Sequence, residues 1–535
     1  MLKKILNQES KSLTSAAIVL GVASLVSRLL GVLRDRVLAG EFGAGVELDM
    51  YYSAFRIPDL VFNLLVLGAL SAGFIPVFTG YLSNKKKAWE LVNNILNVLI
   101  VALMLLTIFL AIFAPWLVKI ITPGFGPEQL KITTLLTRIM FLSPILLGIS
   151  GIFGSVLQSM KRFFIYSVAP ILYNVGIIVG ALVFSRYWGI YGLAWGVVFG
   201  ALMHMIIQII AAFTLGYRYQ WQFQITDKGL IKILTMMVPR TLSLIIAQIN
   251  LLIVTIIGST LAVGSIAIFN LANNIQSFPL GIFGVSFAIA AFPALSELVK
   301  KKKQFIETLS ITMRQILFFI VPASALLIVL RAQVVRVVLG SGRFDWEDTV
   351  LTLETLSLFS FSLFAQALVM VLVRAFFALE DSKTPFYTGL VNALANIILA
   401  VMLVEPFGVA GLAIAFSLST ILNLVLLLLI LHYRLGKLDG DKIALSSVKI
   451  LVATFMLAIT AQAIKYPLEQ SFGTQTLVGI GLQTIAATTG GLLVYFAISW
   501  LLKSEELDIL ISSLRKKLLR RPAIAEEIIE KEKLT

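Results

Sequence analysis

The sequence predicts an all-α integral membrane protein of about fourteen transmembrane helices, arranged as two six-helix pseudo-repeat lobes followed by a final pair. Three observations predict it. Hydrophobic residues make up 59% of the 535 residues and charged ones 13%, with a mean hydropathy of +0.96. A water-soluble chain of that length cannot bury so much apolar surface, so its solvent is a bilayer. Lys and Arg alternate between loops: those on one side of the predicted spans hold about three times as many as those on the other, which places both termini in the cytoplasm. The third observation is an internal repeat. Residues 49–74 and 264–295 share a template at an offset of 217, matching Phe74-Ile75-Pro76 to Ala291-Phe292-Pro293 and Lys85-Lys86-Lys87 to the run Lys300 to Lys303. Downstream, Asn174 matches Asn392 and Gly189-x-x-Gly192 matches Gly408-x-x-Gly411. Internal repeats of this kind are a signature of transporters.

The elements follow in order. After a cytoplasmic stretch 1–12, apolar windows of about 20 residues fall near 13–33, 49–74, 89–114, 130–157, 163–184 and 189–214, the first lobe. The first window carries Arg28 and has no small-residue cleavage site, so it reads as a span and not a leader. A cytoplasmic linker, 215–229, leads to windows near 229–258, 262–295, 306–330, 350–378, 384–404 and 408–432. The second lobe is therefore 230–432. Six spans separate the copies, so they have the same orientation. Windows near 444–464 and 475–502 form the last pair. Residues 503–535 are an amphipathic and charged tail, with Leu507, Leu510, Ile511, Leu514 and Leu518 on one face. Its other face bears Arg515, Lys516, Lys517 and Arg520, suited to the anionic inner leaflet, and the part from Pro522 is charged.

Ionisable residues inside a bilayer are costly and face a cavity or a partner. Arg28 lies midway along the first span, with Arg34 and Asp35 at its outer end. Arg56 and Asp59 flank Pro58 in the second. Arg138, Arg240 and Arg314 lie eight to eleven residues inside their spans. Arg34 and Arg314 are also near enough to an interface to snorkel, and Arg56 with Asp59 fits a pair on one helical turn. Arginines in the first lobe favour an anionic ligand, because guanidinium matches phosphate bidentately. The second lobe offers neutral groups instead: Gln248, Asn250, Asn270, Asn273, Asn274 and Gln276. Asn392 and Asn396, one turn apart, fit either a cation held by carbonyl oxygens or hydrogen bonds between helices.

Several chemistries are excluded. The net charge of +15 sits between apolar segments, so it reads as membrane topology and not as nucleic-acid binding. There is no G-x-x-x-x-G-K-[ST], no H-E-x-x-H and no acidic cluster for a metal. His204 and His432 are isolated, and Cys is absent. Transport outranks catalysis, and no cofactor is called for.

The residues Ser27-Arg28-Leu29-Leu30-Gly31, Arg34-Asp35, Phe42-Gly43-Ala44-Gly45, Asp49, Ala54-Phe55-Arg56-Ile57-Pro58, Gly68-Ala69-Leu70-Ser71 and Phe74-Ile75-Pro76 resemble the MurJ (MviN) family of lipid II flippases. So do Thr122-Pro123-Gly124-Phe125, Phe278-Pro279-x-Gly281 and Asp381-Ser382-Lys383-Thr384-Pro385. This family sits within the multidrug/oligosaccharidyl-lipid/polysaccharide exporter superfamily, and the likeness covers nearly the whole chain.

The resemblance implies export of lipid-linked peptidoglycan precursor, lipid II, to the outer leaflet of the bacterial inner membrane by alternating access. It is driven by membrane potential or by a coupled Na+ or H+. Arg28, Arg34 and Arg56 match basic cavity positions of the family; Asn274 stands where other members carry an arginine and joins them as a substrate contact. Asp35 and Asp49 match acidic positions, pairing with Arg34 or gating, and Asp59 is a further candidate ion-pair partner. The pair 444–502 would form the groove for the polyprenyl tail. Expected partners are lipid II, anionic phospholipid at the cytoplasmic face and cell-wall synthesis machinery, with the chain acting as a monomer. Phe62 and Asn63 replace an arginine-rich stretch of the family, and Leu67 a glutamate. These neutral positions keep two alternatives open: a flippase for another polyprenyl-pyrophosphate-linked oligosaccharide, or a multidrug or cation antiporter on the same fold.

Overall fold

The computed structural model describes residues 13–64, 70–473 and 476–519. Leu67 and the tail from Pro522 lie outside that range, as does the side chain of Arg240. Every regular element among the described residues is helical. In chain order they are α1 Leu13–Phe42, α2 Val46–Phe62, α3 Leu70–Tyr81, α4 Lys85–Ile121, α5 Pro127–Met140, α6 Leu142–Ser159, α7 Phe163–Trp188 and α8 Ile190–Thr214. Then follow α9 Lys228–Ser259, α10 Ser265–Glu297, α11 Lys302–Val329, α12 Arg331–Val338, α13 Trp346–Ser360 and α14 Leu363–Ala378. The last are α15 Lys383–Phe407, α16 Val409–Leu435, α17 Gly440–Phe472, α18 Leu477–Leu501 and α19 Glu505–Leu519.

Among the described residues, 10 helices are long and apolar enough to cross a membrane, or 11 if the bent pair α13 and α14 counts as one. The three remaining windows read from the sequence, 13–33, 49–74 and 229–258, fall on α1, on α2 with α3, and on α9.

Local chemistry sets the helix ends. Asn84 accepts the Lys87 N–H at 3.2 Å and starts α4, Asp227 accepts the Leu230 N–H at 2.8 Å and starts α9, and Thr476 accepts the Gly479 N–H at 3.1 Å and starts α18. Pro127 opens α5, where its missing N–H costs nothing. The paired Gly-x-x-Gly motifs build the same turn twice. Gly189 and Gly408 have φ of 53° and 55°, and each donates back to the preceding helix, to Ser185 O and Val404 O, both at 2.8 Å. Gly192 and Gly411 then donate to Gly189 O and Gly408 O, both at 3.0 Å. Only glycine reaches this left-handed conformation cheaply.

The chain packs as two compact units. The first comprises Met1–Ile275, Val335–Phe359 and Gly389–Ser419. In it α7 and α8 cross on glycine: a Cβ on Gly176 would stand 2.2 Å from Gly200 Cα, and one on Gly180 would stand 2.4 Å from Gly196 Cα. Backbones that close gain dispersion contact where no hydrophobic driving force acts between helices. A separate core forms around Phe74, Phe78, Val92, Phe153 and Tyr217.

The second unit comprises Gln276–Val334, Ser360–Thr388 and Thr420–Thr535. Its core gathers Phe318, Leu372, Phe376, Leu457 and Tyr495, and the Tyr495 hydroxyl donates to Phe318 O at 2.7 Å. Arg314 of α11 does not snorkel. It is buried and donates to Glu505 Oε2 at 2.7 Å and Glu506 Oε1 at 2.9 Å at the start of α19. That helix falls within the segment 503–535 read from the sequence as amphipathic, where the side chains of Leu514, Lys516, Lys517 and Leu518 lie outside the described residues, and this pairing ties its start to α11.

Candidate functional site

The polar residues of α1 and α2 converge inside the first unit. A cavity of about 270 Å³ is lined by Arg34, Tyr51, Tyr52, Arg56, Asp59, Tyr173, Asn270 and Asn274, with apolar walls that include Phe55 and Phe62. Five helices contribute: α1, α2, α6 through Ser143 and Leu147, α7 and α10.

Arg34 and Asp35, adjacent on α1, are clamped together. The Arg34 Nε and Nη2 donate to Asp35 Oδ1 at 3.0 and 2.8 Å, while Nη1 donates to Asn174 Oδ1 at 3.2 Å. The other carboxylate oxygen of Asp35 accepts the Asn274 side-chain amide at 2.9 Å. Asp35 is buried, so its charge is offset by Arg34 and its second oxygen is satisfied from α10.

Arg56 is held differently. Its Nε donates to Thr255 Oγ1 at 2.8 Å and its Nη2 to Asn270 Oδ1 at 2.7 Å, while Asn270 itself donates to Ile266 O at 2.6 Å. Both acceptors are neutral. The hydrogen bonds of Arg56 therefore run to neutral atoms and not to Asp59, which accepts one from the Asn63 side chain and acts on Arg56 through space. The pairing of Arg56 with Asp59 considered from the sequence is present as an electrostatic attraction, while the hydrogen bonds of Arg56 run to α9 and α10.

The other sequence candidates fall elsewhere. Arg28 is half-buried on α1, outside the cavity lining, and makes no hydrogen bond among the described residues. Seven residues separate it from Asp35, which puts both on one face of the helix about 10 Å apart. Asp49 is buried and pairs with no guanidinium among the described residues. Its two oxygens accept the Gly264 and Ala267 N–H groups at 2.6 and 2.8 Å, capping α10. Asn396 donates to Asn250 Oδ1 at 2.6 Å. The side-chain oxygens of Asn392 and Asn396 are buried and accept no hydrogen bond among the described residues. No group of three or more His, Cys, Asp or Glu among the described residues is arranged for a metal.

Sequence reasoning missed Thr255 and the tyrosines. Tyr51 and Tyr52 meet edge to face with ring centroids 5.3 Å apart, and the Tyr52 hydroxyl is buried with no hydrogen bond among the described residues. A tyrosine pair at the start of a polar span is a usable signal, because an amphipathic ring suits a wall that must meet both water and lipid.

Spanning helices around a polar, arginine-bearing cavity define a multi-pass membrane protein with a cavity inside its helical bundle. The profile of the family described as lipid II flippase MurJ matches residues 38–482. The chain is 33% identical to a probable lipid II flippase MurJ of Buchnera aphidicola subsp. Acyrthosiphon pisum, over 79% of this chain and 84% of that one. It is 29% identical to a probable lipid II flippase MurJ of Rhizobium tropici, over 96% and 98%. The chain belongs to the lipid II flippase MurJ family. Its fold is similar to a solved lipid II flippase MurJ in an inward closed conformation, with a TM-score of 0.74 at 23% identity, covering 90% of this chain and 98% of that one. It is also similar to an inward-facing multidrug resistance MATE family transporter of the MOP superfamily, with a TM-score of 0.67 at 14% identity, over 79% and 99%.

Proposed function

We propose that this protein carries lipid II from the cytoplasmic to the outer leaflet of the bacterial inner membrane. Family membership supports the substrate class, and one observation carries the site: Arg56 presents at a cavity wall a guanidinium whose hydrogen bonds go only to neutral atoms, with Asp59 as its counter-charge through space. A pyrophosphate or a carboxylate of the head group supplies the anion that such a fork selects. Arg34 joins when ligand competes with Asp35 for its guanidinium. Asn270 and Asn274 offer hydrogen bonds to sugar or peptide, and Arg28 acts as a second basic contact on the path to the cavity.

In this reading fourteen spans form two lobes, 13–214 and 230–432, that expose the cavity alternately to each side, and the pair 444–502 holds the polyprenyl tail. Both termini face the cytoplasm and one chain suffices. The membrane potential drives transport at roughly 2.3 kcal/mol per charge per 100 mV, or a coupled Na+ or H+ does so. Asn392 and Asn396 supply carbonyl oxygens suited to such an ion. The neutral Phe62 and Asn274 support a second reading, a flippase for another polyprenyl-pyrophosphate-linked oligosaccharide.

The test is depletion in cells with no other flippase, followed by measuring labelled precursor that reaches the outer leaflet. Delivery falls on depletion and returns with the wild-type chain but not with Arg56→Ala. Unimpaired delivery sinks the proposal, and loss of a different lipid-linked glycan favours the second reading.

A further inference from the structure

The linker after α8 is pinned by an asparagine ladder on α4. Asn93 Oδ1 accepts the Tyr217 hydroxyl at 2.6 Å and its amide donates to Arg218 O at 3.1 Å. Asn97 accepts the Tyr219 hydroxyl at 2.9 Å and donates to Gln222 O at 2.8 Å. Asn94 donates to Gln224 O at 2.9 Å and accepts the Gln224 N–H at 2.6 Å. The linker thus runs from Asn93 up to Asn97 and back to Asn94. Three buried asparagines with both ends of each amide satisfied are a strong local constraint.

The sequence of this linker alternates. Tyr217, Tyr219, Trp221, Phe223 and Ile225 interleave with Arg218, Gln220, Gln222 and Gln224. Tyr217 is buried, but Tyr219, Trp221, Phe223 and Ile225 are 51%, 70%, 40% and 61% exposed. An exposed row of large apolar side chains, held by a built scaffold, needs an occupant.

Its depth identifies that occupant. Along α4, Asn97 lies about 18 Å beyond Lys85 at 1.5 Å per residue. From Val98 to Ala114 the helix has no polar side chain except Thr107, a run that fills most of a hydrocarbon core about 30 Å thick. The linker apex therefore meets α4 where the apolar run begins. Beyond Asn97 the same face of α4 continues with exposed Met104 and Ile108, seven and eleven residues on. Lys85, Lys86, Lys87 and Arg218 lie toward the polar end. Aromatic residues at a hydrocarbon boundary with lysines beyond them match the headgroup zone of an anionic leaflet.

We propose that residues 217–225 are a membrane-interface anchor, whose exposed aromatics insert at the headgroup–acyl boundary while Asn93, Asn94 and Asn97 fix their depth. The anchor sets the height in the bilayer of the connector between the two sequence repeats.

The test uses Trp221 as the only tryptophan, the other six of the seven replaced by Phe, in nanodiscs of anionic lipid with and without brominated acyl chains. Phe109, inside the apolar run of α4 and 56% exposed, replaced by Trp in a matching single-tryptophan variant (Phe109→Trp), serves as the deep control. Trp221 emission is expected to be blue-shifted from that of water-exposed tryptophan and at least halved by lipid brominated near the headgroup. Quenching by lipid brominated deep in the chain is weaker for Trp221 than for the tryptophan placed at position 109. Asn97→Ala frees the apex and raises quenching of Trp221 by aqueous acrylamide. The difference between wild type and Trp221→Phe in otherwise unaltered protein gives the same readout without the six replacements. Strong acrylamide quenching with no bromolipid quenching overturns the proposal, and so does protection from both, which signals a protein partner.

Discussion

Asn274 donates to Asp35 Oδ2 at 2.9 Å while Arg34 occupies Oδ1 at 2.8 Å, so one buried carboxylate is shared between a cation and a neutral amide 239 residues away in sequence. The arrangement decides what each part contributes. Asp35 holds Arg34 in place, Asn274 keeps Asp35 from burying an unsatisfied oxygen, and Arg56 is the guanidinium held by neutral atoms, with Asp59 acting on it only through space. Asn274→Ala strips one hydrogen bond from a buried anion and is expected to cost about 1–3 kcal/mol, read as a lower melting temperature in detergent. Asn274→Asp sets two carboxylates in contact, and should cost more at neutral pH than at pH 5 because protonating one of them relieves the repulsion. Equal losses at both pH values would show that the contact with Asp35 is not what the substitution disturbs.

Arg56→Lys separates charge from geometry. Lysine keeps the positive charge but cannot donate in a rigid fork to both Thr255 and Asn270. Partial rescue of growth in a depletion strain is expected, between wild type and Arg56→Ala. Full rescue by Lys would mean that a point charge is enough. Arg28→Ala, at a half-buried position outside the cavity lining, should impair growth less than Arg56→Ala; the reverse order would move the anion site toward α1.

What was legible in the sequence follows from the range of each signal. Span positions are local, so hydropathy placed α7 and α8 within a few residues, but it ended α4 at 114 instead of Ile121 and read α5 and α6 as one span. The Gly-x-x-Gly turns were legible because a left-handed residue is written as glycine. Arg56 was legible as an anomaly of depth, but its partners were not: Thr255 and Asn270 lie 199 and 214 positions away, and periodicity carries no information at that distance. Asp49 was read as a charge and works as a helix cap, because the start of α10 that it satisfies belongs to another part of the chain. Arg28 was read from its depth and from its match to a basic cavity position of the family; it lies on the face of α1 that carries Asp35, about two turns away and outside the cavity lining.

The glycine contact between α7 and α8 was also written in the sequence, as Gly176-x-x-x-Gly180 and Gly192-x-x-x-Gly196-x-x-x-Gly200. Gly176→Ala puts a methyl 2.2 Å from Gly200 Cα, and Gly196→Ala puts one 2.4 Å from Gly180 Cα. Backbone cannot yield as a flexible side chain does, so each is expected to cost about 1–3 kcal/mol by overpacking. Gly80→Ala, with nothing within 4 Å of the new carbon, is the control and should leave the melting temperature unchanged or raise it. A neutral Gly176→Ala would mean that the two helices pack further apart than described.

The tie between α19 and the bundle should depend on pH through Glu506. Burial pushes its carboxyl up, but the Ser504 and Ser446 hydroxyls, its own backbone N–H and the Arg314 guanidinium outweigh that and hold it below its ordinary value of 4.5. A depressed folded value means that the anion is stabilised in the native state. Its contribution is complete above the unfolded value and is lost as pH falls through the lower, folded one. Between pH 7 and 6 wild type should therefore show no change from this group, and the loss should appear only below about pH 4.5. Glu506→Gln removes the charge that Arg314 and both hydroxyls address, so it should destabilise at pH 7. The gap between variant and wild type should narrow as the wild-type carboxylate is protonated. Melting temperatures of both proteins across this range, with hydrogen exchange of the α19 amides, measure it. A gap that stays constant down to the lowest pH would show that Glu506 holds α19 by shape and hydrogen bonding alone, with Arg314 satisfied by the exposed Glu505.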